Sequence, residues 1–99
     1  MTAFDNATFC GATALDHASF LANLSFAMAT FQGSVSLCQS ACFGGLWLEG
    51  ARFAEPADLE GLDVHGRAWL KRLRIGQQSE AQSAEAFAQR ITSYGYQWR

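Results

Sequence analysis

The sequence predicts an all-β solenoid over residues 1–70 followed by a small α-helical cap, and three observations carry that expectation. A large apolar residue recurs every five or six positions, turn-forming residues fill the gaps, and the pattern lapses near residue 70. The large residues are Phe4, Phe9, Leu15, Phe20, Phe26, Phe31, Leu37, Phe43, Leu48, Phe53, Leu59, Val64 and Leu70. Every second member from Phe4 to Leu70 returns at an interval of 11. The interleaved series Phe9, Phe20, Phe31, Phe53 and Val64 keeps the same interval, with Cys42 in the vacant slot and Phe43 one place late.

Two positions before each large residue from Phe9 on sits a small or aliphatic one, expected to point inward: Ala7, Thr13, Ala18, Leu24, Ala29, Val35, Ala41, Leu46, Ala51, Ala57, Leu62 and Ala68. This is neither a 3.6-residue stripe nor an unbroken alternation. It suits a chain that runs extended for about three residues, aims two side chains inward and then turns a corner. Asp5-Asn6, Gly11, Asp16-His17, Asn23, Gly33, Gly44-Gly45, Gly50, Gly61 and Gly66 supply the corners. Stacked turns bury the inward positions as ladders, joined by backbone hydrogen bonds.

The segments Ala7-Thr8-Phe9, Ala18-Ser19-Phe20, Ala29-Thr30-Phe31, Ala51-Arg52-Phe53 and Ala57-Asp58-Leu59 resemble the core of pentapeptide-repeat proteins. The alternating spacing is similar to the branch of that family with six-residue spacers, over roughly residues 2–70. The resemblance implies a right-handed, four-sided β-helix with one repeat per side and about 22 residues per coil, hence about three coils. At a rise of ~4.8 Å per coil the body is ~15 Å long. One side then stacks Phe4, Phe26, Leu48 and Leu70, and the next Phe9, Phe31 and Phe53. Leu24, Leu46 and Leu62, where the family favours smaller residues, together with the late Phe43, suggest a widened or bulged side over residues 37–48.

Residues 71–99 are expected to form the cap and an aromatic tail. Arg67 to Ile75 reads as a first short helix, with Trp69, Leu70 and Leu73 inward and Lys71, Arg72 and Arg74 outward. Gly76 breaks it. Ser79 with Gln82 reads as a capping box, and Ala84, Phe87, Ala88, Ile91 and Tyr94 share a face of a second helix. The two helices cover the last open ladder edge. Tyr94 to Arg99 either packs back on the body or reaches a partner. At the other end, the first coil either docks end-on with a second copy or another protein, or is covered by Met1 to Asp5.

Composition narrows the function. Hydrophobic residues are 49% of the chain, eight are Phe and one is Pro, as a packed domain requires. Net charge is -2, which disfavours nucleic acid as a direct partner. Seven acids face Arg52 alone over residues 1–66, whereas six bases face two acids over residues 67–99. No apolar run approaches the ~20 residues of a membrane span, no signal peptide opens the chain, and the odd count of Cys10, Cys38 and Cys42 suits reduced thiols. A cytoplasmic location is expected.

No catalytic or cofactor-binding constellation is expected. Nothing resembles an activated nucleophile, and no Lys-Ser/Thr follows Gly44-Gly45. A metal site is not expected either, because Cys42 falls on a different side from Cys38 and His17, and His65 lies two coils from His17. The informative oddity is a weakly charged surface in which outward positions include Cys10, Leu21, Met28 and Trp47. The candidate partner-binding residues are Leu21, Met28, Trp47, Phe4, Tyr96 and Trp98. The function expected is a non-catalytic protein–protein interaction module or small scaffold subunit, possessing solenoid faces and an open N-terminal end, with self-association included. The alternative implied by the family resemblance is a DNA-mimicking inhibitor or protector of a type II topoisomerase (gyrase).

Overall fold

In the computed structural model, which describes residues 2–99, the backbone pairs with itself one turn later. Thr2 is paired with Leu24, Leu24 with Leu46, and Leu46 with Ala68, a parallel register that advances 22 residues each time. Short strands define four sides, and the molecule is a β-solenoid of three regular turns and a longer closing one. The first side stacks Thr2–Ala3, Leu24–Ser25, Leu46–Trp47, Ala68–Trp69 and Gln97–Trp98. The second stacks Thr8–Phe9, Thr30–Phe31, Arg52–Phe53 and Arg74–Ile75. The third holds Thr13–Ala14 and Val35–Ser36, prolonged by a bridge from Ser36 to Asp58. The fourth stacks Ser19–Phe20, Ala41–Cys42, Asp63–Val64 and Thr92–Ser93.

Corners repeat with the same step. Asn6, Met28, Gly50 and Arg72 have φ of 61°, 59°, 71° and 59°, and His17, Gln39 and Gly61 have 56°, 58° and 74°. The left-handed conformation costs a side-chain-bearing residue about 1–2 kcal/mol. Met28 and Arg72 bear that cost because the rungs above and below dictate the turn.

Inside, identical side chains lie over one another. The rings of Phe9 and Phe31 are 4.9 Å apart and 5° from parallel, and those of Phe31 and Phe53 are 4.7 Å and 6°. Phe4 stacks on Phe26 at 5.2 Å. These separations match the ~4.8 Å between hydrogen-bonded strands, so backbone pairing and ring stacking satisfy one repeat distance. Ser40 is a buried polar residue at the edge of the core. Its hydroxyl donates to the Leu15 carbonyl and accepts from the Ala18 N–H, so its burial leaves no polar atom stranded.

Three expectations are corrected. First, residues 37–48 carry no bulge. Ala41 pairs with Ser19 below and Asp63 above in the undisturbed register, Cys42 is the inward residue, and Phe43 simply points out. Second, the segment from Arg67 to Ile75 is not a helix. It supplies the strands Ala68–Trp69 and Arg74–Ile75, burying Ala68, Leu70, Leu73 and Ile75 and turning Trp69 outward. A nine-residue helix pays nucleation with little propagation, whereas the same residues extended find a waiting strand edge in register. Third, the solenoid therefore runs past residue 70, and the cap contains one helix.

That helix, α1 (Glu80–Arg90), replaces the third side in the closing turn. Asp63 pairs with Thr92 and Ala68 with Gln97, a step of 29 in place of 22. Ser79 and Gln82 form the expected capping box. Ser83, Ala84, Phe87 and Ala88 are buried, Phe87 beside Phe53 with ring centroids 6.4 Å apart, and the Ser83 hydroxyl accepts from the Ile75 N–H at 2.9 Å. Tyr94 lies beyond the helix rather than on its face. The tail packs back as a final partial rung, and Arg99 pairs with Glu85 of α1.

At the opposite end, Thr2–Ala3 form a rung rather than fold over the opening; Met1 lies outside the described residues. Phe4 is 37% exposed, and Phe9, Leu15 and Phe20 are half-buried. Among the described residues nothing covers that ring. No helix is long and apolar enough to cross a membrane.

Candidate functional site

A strand that buries every other residue leaves the residue between them pointing outward. On the first side those outward residues are Ser25, Trp47, Trp69 and Trp98, each in register with the next. Trp47 sits between Leu46 and Leu48, both buried, so it cannot join the core without displacing them. Trp47 and Trp69 stack at 5.3 Å and Trp69 and Trp98 at 5.0 Å. All three tryptophans of the protein thus form one external ladder. Tyr96 meets Trp98 edge-on at 4.4 Å.

The neighbouring corner carries a second ladder. Leu21, Phe43, His65 and Tyr94 occupy equivalent places on successive rungs; Phe43 stacks on His65 at 4.9 Å and His65 on Tyr94 at 4.8 Å. Leu21 is 83% exposed and Tyr96 65%. The two ladders make an aromatic wall.

Between them lies a depression of about 320 Å³ lined by Asn23, Gly44, Gly45, Trp47, Gly66 and Arg67. Its glycines are a packing requirement. A Cβ on Gly44, Gly66 or Gly95 would stand 2.5, 2.4 or 2.2 Å from the backbone of the rung beneath. Asn23 Oδ1 accepts from the Gly45 N–H at 2.8 Å. The indole N–H groups of Trp47 and Trp69 are buried with no hydrogen-bond partner among the described residues.

Charge on the wall is cationic. The Arg67 guanidinium lies 5.6 Å from the Trp98 ring centre and Lys71 Nζ 5.9 Å from that of Trp69. Neither has an ion-pair partner among the described residues, whereas Arg72 pairs with Glu49 on the same side.

Of the candidate residues, the structure brings Leu21, Trp47, Tyr96 and Trp98 onto this wall. Met28 is exposed at the other corner of the same side, where its sulfur fills the space beside Gly50. Phe4 belongs to the first inner ring. Sequence reasoning missed Phe43, His65, Tyr94 and Trp69. The signal for them was the 22-residue interval applied to outward as well as inward positions, and the helical reading of residues 67–75 hid Trp69.

One cluster elsewhere also went unforeseen. The Cys38 thiol and carboxylate oxygens of Asp58 and Glu60 lie within 4.8 Å of one another, a set of donor atoms that could hold a metal ion. Desolvation, and then the charges of Asp58, Asp16 and Glu60, push the Cys38 thiol above its ordinary range. Cys42 is separate, pointing into the core, where burial raises it to about 11.

No family model, curated protein or solved structure matches the chain.

Proposed function

We propose that the protein is a non-catalytic protein–protein interaction module of the pentapeptide-repeat type, cytoplasmic, that engages its partner through the aromatic wall on the first side, with the exposed first coil as a secondary surface. One observation carries the reading: three tryptophans occupy consecutive outward positions although the fold asks nothing apolar of those positions. Inward ladders need large apolar residues; outward ones are elsewhere filled by Thr8, Thr30, Ser36, Ala41 and Asp63. Trp and Tyr are the residues that dominate protein interfaces.

The gyrase-directed alternative has less support. Asp16 on the first rung and Asp58 and Glu60 on the third share one corner, too short a run to imitate a duplex that carries a charge every ~1.7 Å. A supercoiling assay with purified protein in which gyrase is inhibited would revive it.

The test is capture from the source organism with three baits: the wild type, Trp47→Gln, and a control variant, Thr30→Gln, on the second side. A partner held by wild type and control but lost by Trp47→Gln is expected. The lost stack on Trp69 costs about 0.5–1.5 kcal/mol beyond the area Trp47 buries, and because Trp47 lies outside the core the variant should remain folded by circular dichroism. A partner retained at full strength by Trp47→Gln would overturn the assignment of the wall.

A further inference from the structure

We infer that the depression between the two ladders receives an extended, acidic segment of the partner protein, an inference that rests on the wall being the protein-binding face. Charge complementarity is the first ground. Arg67 lines the depression and Lys71 stands against Trp69 in the adjoining hollow, both without an ion-pair partner among the described residues, while Glu49 is engaged by Arg72. Each cation is held against an aromatic face, which limits its rotamers before any ligand arrives. A carboxylate arriving beside them gains a charge-assisted contact without freezing a free side chain.

Shape is the second ground. Gly44 and Gly66 cannot carry a side chain, because a Cβ at either would collide with backbone, so the depression stays open over the three rungs from Asn23 to Arg67. Three rungs at ~4.8 Å span ~10 Å, the reach of about three extended residues. Flanking rings offer apolar and edge contacts to alternate side chains of such a segment.

Single-stranded nucleic acid also stacks on aromatic, cationic surfaces, but it is the weaker fit. Its affinity comes mainly from neutralising several phosphates, and here Arg67 alone lines the depression, with Lys71 in a separate hollow beside Arg72, in a chain of net charge -2. The rings, moreover, already stack on one another and present edges rather than open faces to an incoming base.

Because every tryptophan of the protein lies in this ladder, intrinsic fluorescence reads the site and nothing else. Three capped hexapeptides are titrated, alternating tyrosine-free phenylalanine with glutamate, glutamine or lysine. The glutamate peptide should bind roughly fivefold to tenfold tighter than the glutamine peptide, with the advantage shrinking as salt rises from about 0.05 to about 0.5 M. The double variant Arg67→Glu, Lys71→Glu should then prefer the lysine peptide. Equal affinity for all three peptides, or the same ranking in the charge-reversed variant, would overturn the inference. So would tighter binding of a twelve-residue oligothymidylate than of the glutamate peptide. These failures leave the wall's role intact if capture still depends on Trp47; loss of that dependence removes the wall itself.

Discussion

Phe31 is the sharpest probe of the ladder. It is 2% exposed and stacked on both faces, with Phe9 at 4.9 Å and Phe53 at 4.7 Å. Truncating a buried Phe to Ala costs about 3–5 kcal/mol through lost transfer energy and the cavity left behind. Both faces of the ring are in contact and the backbone on either side is pinned by rung hydrogen bonds, Thr30 N–H to the Ala7 carbonyl and Gln32 N–H to the Phe9 carbonyl. The site therefore cannot collapse, and Phe31→Ala belongs at the upper end, about 4–5 kcal/mol. Phe9 offers the internal comparison. It has the same chemistry and one ladder neighbour, but it is half-buried in the first rung, so Phe9→Ala should cost about half as much. Because a solenoid couples mainly adjacent turns, that loss should appear as fraying of the first rung. Urea denaturation followed by circular dichroism measures both, with amide hydrogen exchange locating the opened rung. In a chain of this size 1 kcal/mol corresponds to roughly 5 °C, so the Phe31 variant should melt about 20 °C lower. A loss below about 1.5 kcal/mol at Phe31, or an equal loss at Phe9, would refute the stacked-column account.

Two further outcomes test other parts of the structure. Gly66→Ala places a methyl 2.4 Å from the Gly44 carbonyl oxygen, and should cost about 1–3 kcal/mol in thermal melts; Gly11→Ala meets nothing within 4 Å and should be near neutral, so equal effects would contradict the rung spacing. Cys42, raised to about 11 from 9.0 by burial, should resist alkylation at pH 8 while exposed Cys10 reacts. Since its folded value lies above the unfolded one, the thiol's contribution to stability is complete below pH 9 and is lost as pH climbs towards 11. That decline should vanish in Cys42→Val; an unchanged profile, or prompt labelling of native Cys42 by mass spectrometry, would place the thiol outside the core.

Much of the fold was legible because inward ladder positions obey a strict rule. Phe9, Phe31 and Phe53 must be large, apolar and 22 apart, and few other structures impose that spacing over so many turns. The capping box of Ser79 and Gln82 was legible for a similar reason, since its two hydrogen bonds join residues three apart. What misled was the segment from Arg67 to Ile75. Its alternation of Ala68, Leu70, Leu73 and Ile75 against Trp69 and the basic residues fits both a helix stripe and a solenoid rung, and local pattern cannot choose between them. The choice is made by the strand edge already standing at Leu46–Trp47 and Arg52–Phe53. A distant context of that kind is invisible in a nine-residue window. The cluster of Cys38, Asp58 and Glu60 was hidden likewise: its members are separated by about one turn of solenoid, not by a motif spacing.

The cap and the wall are consequences of one event. If α1 merely covered the end of the core, the chain could stop at Arg90. Instead its seven extra residues return the backbone to the fourth and first sides in register, so that Thr92 pairs with Asp63 and Gln97 with Ala68. That return sets Tyr94 on His65 and Trp98 on Trp69, completing both ladders together. Arg99 then ties the completed rung to α1 through Glu85. The rung joins the other sides by only two short strand pairings, and an isolated pairing of that length is marginal in water. Aromatic stacking and docking of the helix must hold it in place. The last third of the wall is thereby coupled to the seating of Phe87 in the core, and a change that loosens α1 will disorder the aromatic wall before it unravels the solenoid beneath.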